Sequence, residues 1–175
     1  MTRGIISRNV YDAPMQTSYI YGRHAVKTLI ETQAHRVQGV FVSIGAEKEF
    51  EALAREHHIR IEPLADHDFR NELQGAVHQG VVAKVAMEGL MLDYDKFMGS
   101  FTADASTSLV LLNEVTDPHN VGAIIRSAAA FGATAVLIPT HNQAPITGAV
   151  AKASAGMVFA MPMVAINNEN QTIED

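Results

Sequence analysis

The segment from Ser108 to Ile138 constrains this chain more than any other. It reads as an apolar run, Ser108-Leu-Val-Leu-Leu-Asn113, then Asp117-Pro118, a helical stripe, Gly132 and a second apolar run, Thr134 to Ile138. Asp117 is a side-chain cap and Pro118 a first-turn proline, so a helix is expected to start there and run to Phe131. Gly132 then stops it at the position that favours a left-handed backbone, and Pro139 ends the second run. Two short strands joined by one helix must run parallel, with the crossover right-handed. Open parallel sheets bind ligands beyond the carboxyl ends of their strands. The loop and first helical turns, Asn113 to Arg126, lie there and form the most chemically loaded part of the chain.

The remaining sequence fits around that unit. A helix is expected over Tyr21–Thr32, a strand over Val37–Ile44, a helix over Ala46–His57 and a strand over Ile59–Pro63. A short helix over Asp66–Leu73 and a buried strand over Gly80–Ala86 complete a small α/β domain at about residues 18–88. Residues 1–17 read as a tail and 89–106 as a linker with one amphipathic turn, Tyr94–Met98. The second domain, 107–175, continues with a helix over Ile146–Ala155, a strand near Pro162–Ile166 and a helical turn from Asn170. At 175 residues there is room for one ordinary domain or two small ones, each with its own core. Met87, Met91 and Met98 are expected to pack in the core or linker.

Composition excludes several functions. Cysteine is absent, which removes disulfides and thiolate metal sites. The eight histidines are scattered with no HExxH pair, and no metal is expected. No run approaches the ~20 apolar residues of a membrane span, and Met1–Ser18 holds no signal-peptide core; the expectation is a cytoplasmic protein with no membrane partner. Neither G-x-G-x-x-G nor a P-loop occurs. Lys152-Ala-Ser154-Ala-Gly156 lacks the first glycine of a nucleophile elbow and reads as helix. A net charge of −6 argues against a protein that simply coats nucleic acid. The charge is uneven, however. Residues 1–40 carry Arg3, Arg8, Arg23, Lys27 and Arg36 against Asp12 and Glu31, and beyond residue 100 the only cations are Arg126 and Lys152. On the helix, Val121, Ile124, Ile125 and Ala128 form the buried stripe. Arg126 falls between stripe and surface, one turn after Gly122, whose missing side chain leaves room for a close approach. Its guanidinium could hold a phosphate or a developing oxyanion, or it could simply pair with Glu114 or Asp117.

Asp117-Pro-His-Asn120-Val-Gly122-Ala-Ile-Ile-Arg126-Ser-Ala-Ala-Ala-Phe-Gly132 closely resembles the first signature of SpoU/TrmH-class methyltransferases. Tyr21-Gly22-Arg23-His24-Ala25-Val26 with His78-Gln79-Gly80-Val81-Val82-Ala83 resembles the opening and close of that family's N-terminal substrate-binding domain, which is similar to small ribosomal RNA-binding proteins. Lys152-Ala-Ser154-Ala-Gly156 resembles the segment that follows the first signature. The resemblance spans about residues 19–168. It implies an α/β fold: a ribosomal-protein-like domain followed by a Rossmann-like α/β-knot (SPOUT) domain. It further implies transfer of methyl from S-adenosylmethionine to a ribose 2′-hydroxyl of RNA, ribosomal RNA being favoured by the N-terminal domain. Asn120 and Arg126 become the catalytic pair, and Arg23, His24 and Arg126 the RNA-binding residues; a homodimer is implied for the complete protein. The family's second and third signatures, a Gly/Glu loop and a Ser-Leu-Asn segment, do not occur before Asp175. The knot domain is therefore expected to be incomplete through C-terminal truncation, with the donor-binding residues unassigned. A non-catalytic RNA-binding protein is the alternative, and an aggregating half-sheet fragment a third.

Overall fold

The computed structural model describes residues 17–65, 73, 75–100 and 102–174. The helix expected over Asp66–Leu73 lies outside the described residues, apart from Leu73.

The N-terminal half is a four-stranded sheet with two helices. Its elements are β1 (Thr17–Tyr21), α1 (Arg23–Gln33), β2 (Val37–Val42), α2 (Glu47–Glu56), β3 (Ile61–Pro63) and β4 (Val81–Ala86). A short 3-10 turn, Ala34–Arg36, joins α1 to β2. The strand order is β1-β4-β2-β3; β4 runs antiparallel to both neighbours, and β2 parallel to β3. The β1 strand was not anticipated, and it changes the reading of residues 1–17, because Thr17 already pairs with Ala86. Its alternation explains its place. Ile20 is fully buried in the core, whereas Tyr19 and Tyr21 project from the other face.

The C-terminal half holds β5 (Met91–Asp93), α3 (Tyr94–Met98), β6 (Leu109–Leu111), α4 (Pro118–Ala130), β7 (Ala135–Pro139), α5 (Gly148–Ala153), α6 (Met157–Ala160), β8 (Met163–Ile166) and α7 (Glu169–Glu174). Its sheet, ordered β5-β8-β7-β6, is parallel throughout. The expected β6–α4–β7 unit is present. Leu109 pairs with Ala135 in parallel, Asp117 Oδ1 accepts from the His119 N–H at 2.8 Å, and Gly132 takes φ 73 just past the helix. The stretch 89–106 is not a linker throughout, for β5 forms the edge of this sheet against β8. Only three residues pair, Met91 to Asp93, too few for a strand to announce itself by alternation. The helix expected over Ile146–Ala155 is shorter and is followed by α6, the two separated by Gly156 at φ 85.

The strand β7 is buried at every position, as a central parallel strand covered on both faces must be. Val136 and Ile138 face the helices, while Ala135 and Leu137 join Phe97, Val164 and Ile166 beneath α3. The two halves do not keep separate cores. A single contiguous cluster runs from Ile20, Leu29 and Val85 through Val150 and Val158 to Val136 and Met163.

Small residues let the halves approach. A side chain on Gly148 would meet the Tyr19 carbonyl oxygen at 2.4 Å, and one on Gly156 would meet Thr28 Cβ at 2.6 Å. Hydrogen bonds tie the seam. Thr28 Oγ1 donates to the Ala155 carbonyl at 3.3 Å, Gln33 Nε2 to the Phe159 carbonyl at 2.7 Å, and Lys152 Nζ to the Val77 carbonyl at 2.6 Å.

Candidate functional site

The loop after β6 leads into the first turns of α4 at the carboxyl end of the parallel sheet. Val115 is clamped there by Gln143 from the loop after β7: its N–H donates to Gln143 Oε1 at 3.0 Å and its carbonyl accepts from Gln143 Nε2 at 2.7 Å. This fixes the backbone that delivers Asp117 as the cap of α4. Val121, Ile125 and Ala128 are buried and Ile124 is partly so, matching the expected stripe. Gly122 is buried as well. A Cβ there would lie 2.4 Å from Ala153 Cβ and 2.9 Å from the Val150 carbonyl oxygen. The close approach that Gly122 permits is therefore that of α5.

Asn120 and Arg126 are both exposed. Six residues of α-helix put them about 120° apart around the axis and ~9 Å apart along it, so no direct contact joins them. A helical side chain leans toward the N-terminus, which aims Arg126 back toward the turn that carries Asn120. Among the described residues the ion pairs are Arg23–Glu49, Lys27–Glu31 and Arg60–Glu62. Arg126 pairs with neither acid considered for it: Asp117 caps the helix, and Glu114 Oε1 accepts from Asn142 Nδ2 at 3.4 Å. The guanidinium is left facing solvent with its donors available.

Arg23 and His24 open α1 in the other half. Arg23 Nε donates to Glu49 Oε2 of α2 at 2.8 Å, and its backbone N–H to Gln79 Oε1 at 3.1 Å. Its ion pair is more than 40% exposed on each side, where such pairs contribute about 0–1 kcal/mol. A phosphate could displace the carboxylate at small cost. His24 is exposed. No hydrogen bond or ion pair among the described residues links Arg23 or His24 to Asn120 or Arg126. Arg36, counted with these cations in the sequence, is committed to structure: its guanidinium holds the Ala86, Glu88 and Gly89 carbonyls between α1 and the turn into β5. Burial there lowers its pKa.

Lys152, one of the two Lys or Arg residues beyond residue 100, has a structural place that its scarcity alone does not reveal. It bridges the two halves. Besides its bond to Val77 it stands 5.7 Å over the Tyr21 ring, and its stem passes 3.5 Å from the Cβ position of Gly22. The tyrosines of β1 escaped notice because the strand itself did. Alternation of Tyr19 and Tyr21 about Ile20 was the available signal. Among the described residues no three potential metal-ligating side chains gather, and no helix is long and apolar enough to cross a membrane.

Comparison with known proteins covers both halves. Residues 107–175 match the SpoU rRNA Methylase family, and residues 19–90 match the family of RNA 2′-O ribose methyltransferase substrate-binding domains. The 23S rRNA (guanosine-2′-O-)-methyltransferase RlmB of Haemophilus ducreyi is 34% identical over 161 residues, and that of Pseudomonas putida 34% over 163. These alignments take in 89% and 91% of this chain but 65% of each relative, so the chain spans about two-thirds of their length. Among solved structures, the SpoU methyltransferase AviRb of Streptomyces viridochromogenes, in complex with AdoMet, superposes with a TM-score of 0.68 at 21% identity. The match covers 90% of this chain and 57% of that one. An AdoMet-bound rRNA methyltransferase of Sinorhizobium meliloti gives 0.65 at 18%, with the same coverage. With the first signature mounted on α4 at the end of a parallel sheet, residues 107–175 belong to the SpoU methylase family and residues 19–90 to its substrate-binding domain family.

Proposed function

We propose that the chain carries the substrate-binding half and the first part of the catalytic half of an rRNA ribose 2′-O-methyltransferase. In this reading residues 18–88 receive RNA, residues 107–175 belong to the catalytic domain, and S-adenosylmethionine is the methyl source of the complete, homodimeric, cytoplasmic protein. The observation that carries it is Arg126: an exposed guanidinium, with no ion pair among the described residues, on a helix anchored at the ligand-binding end of a parallel sheet. A ribose hydroxyl is a poor nucleophile until its proton leaves or its developing charge is stabilised. A guanidinium held in place can supply that stabilisation or fix the neighbouring phosphate. With a pKa above ~12 it cannot serve as the base. Asn120, one turn from the cap, offers an amide donor and acceptor to the ribose. Arg23 and His24 offer a cation and an imidazole to RNA on the other half, and alignment of the two halves through Lys152 supplies proximity.

The alternative reading is an RNA-binding protein without catalysis. Both readings are tested by incubating the chain with 23S rRNA and methyl-labelled S-adenosylmethionine, alongside RNA binding at several salt concentrations. Methylation at a ribose 2′-oxygen that falls ~10²–10³-fold in Arg126→Ala, with RNA affinity changed far less, supports catalysis. Salt-dependent RNA binding by a cooperatively folded chain that incorporates no label supports the second reading.

A further inference from the structure

We propose that the cleft between the outer face of β1–β4 and the start of α5 is a subsite for one unpaired RNA nucleotide. The proposal rests on the RNA-binding reading above and deepens it. The register of β1 with β4 sets Tyr19 directly opposite Lys84, so both project from the same face as Tyr21. Thr147, Gly148 and Ala149 form the facing wall, and Thr17 and Ser18 the rim. The cleft encloses about 650 Å³, within the span of small-ligand pockets, ~300–1,000 Å³.

Its chemistry is selective. Although the chain carries a net charge of −6, among the described residues no carboxylate lines this cleft, and Lys84 does. Outside the lining, Lys152 stands 5.7 Å over the Tyr21 ring and is held by the Val77 carbonyl. Aromatic rings, a cation and hydroxyl groups are what an unpaired nucleotide requires: a surface to stack on, a charge for its phosphate and hydrogen-bonding partners for its base edge. The same recognition chemistry would admit a free mononucleotide. The RNA strand is favoured because the cleft is open, so a chain can enter and leave it, and because it lies at the seam between the substrate-binding and methylase halves. A nucleotide held there would touch both halves at once through β1 and α5.

The chain has no tryptophan and four tyrosines, two of them in the cleft, so tyrosine emission reports occupancy directly. The experiment titrates hexauridylate, and separately uridine 5′-monophosphate, into the chain and into Tyr19→Leu, Tyr19→Phe and Lys84→Gln, each checked for cooperative unfolding. Expected are quenching by the hexamer, an affinity roughly five- to a hundred-fold weaker in Tyr19→Leu, near-native affinity in Tyr19→Phe, and a shallower salt dependence in Lys84→Gln. Hexamer binding unchanged in both Tyr19→Leu and Lys84→Gln overturns the subsite, as does absence of hexamer binding. Equal affinity for the mononucleotide overturns the RNA assignment. The methylation assay with Arg126→Ala is read independently, so failure of the cleft leaves the proposed activity standing, and the reverse also holds.

Discussion

Gly148→Ala isolates the seam between the two halves. The added Cβ would stand 2.4 Å from the Tyr19 carbonyl oxygen and 2.7 Å from Tyr21 Cε1. A carbon–oxygen contact rarely closes below ~3.3 Å, so β1 and α5 must part by about 0.9 Å. The obstacle is backbone held in register with β4, and the ring behind it is capped by Lys152, so neither yields alone. A gap of that size forfeits a quarter to a half of the dispersion attraction across a seam where Ile20 and Val150 are fully buried. Overpacking of this kind costs about 1–3 kcal/mol, and the better helix propensity of alanine returns at most ~1. A net loss of about 1–2 kcal/mol lowers Tm by roughly 2–8 °C in a chain of this size. Gly99→Ala is the control: Gly99 has φ −74 and its nearest neighbour is a carbonyl of its own helix at 3.3 Å, so its change should stay within ~0.5 kcal/mol. Calorimetric melts of both variants, with hydrogen exchange at β1, measure the difference. If Gly148→Ala melts at or above the parent temperature, the contact does not constrain the halves and the packing argument fails. If it holds, the same ~1 Å displacement should reduce any methyl transfer by up to ~10²-fold.

Two further outcomes are expected. Asp117→Ala removes the cap of α4 and should cost about 1 kcal/mol with faster exchange at the His119 N–H, while Asp117→Asn keeps most of both; equal losses in the two variants would show that the cap bond contributes nothing. Burial raises the Tyr21 pKa above its ordinary value of 10, so its folded-state value exceeds the unfolded one. The stabilisation is fully present below pH ~10 and is lost as pH rises through the folded value. Alkaline titration of tyrosinate absorbance in the chain and in Tyr21→Phe should show the loss of one late-titrating group; loss of a group that titrates at the ordinary value of 10 would refute it.

How far the sequence discloses this structure depends on whether a local signal and a long-range contact coincide. The β6–α4–β7 unit was legible because Asp117, Pro118, the stripe and Gly132 each act within a turn of their own position. The short β5 was not, because its partner β8 lies about seventy residues away and three residues give no period to read. The shared core was illegible for a related reason. Gly148 and Gly156 look like ordinary helix punctuation until Tyr19 and Thr28 are brought against them.

The site divides along the same line. Arg126 could be singled out by chemistry and by the signature around it, but whether it was paired depended on Glu114 and Asp117 being occupied elsewhere, which only the folded loop decides. Lys152 presents the opposite case. Its rarity was visible, yet its work depends on Val77 and Tyr21, both in the other half. A cation that ties together the two halves sets their alignment, so its effect should appear where the seam is perturbed. Gly148 and Lys152 are then two handles on one quantity, the position of the N-terminal half against α4. Their variants should therefore shift stability and substrate alignment together, whereas Arg126→Ala should leave stability unchanged.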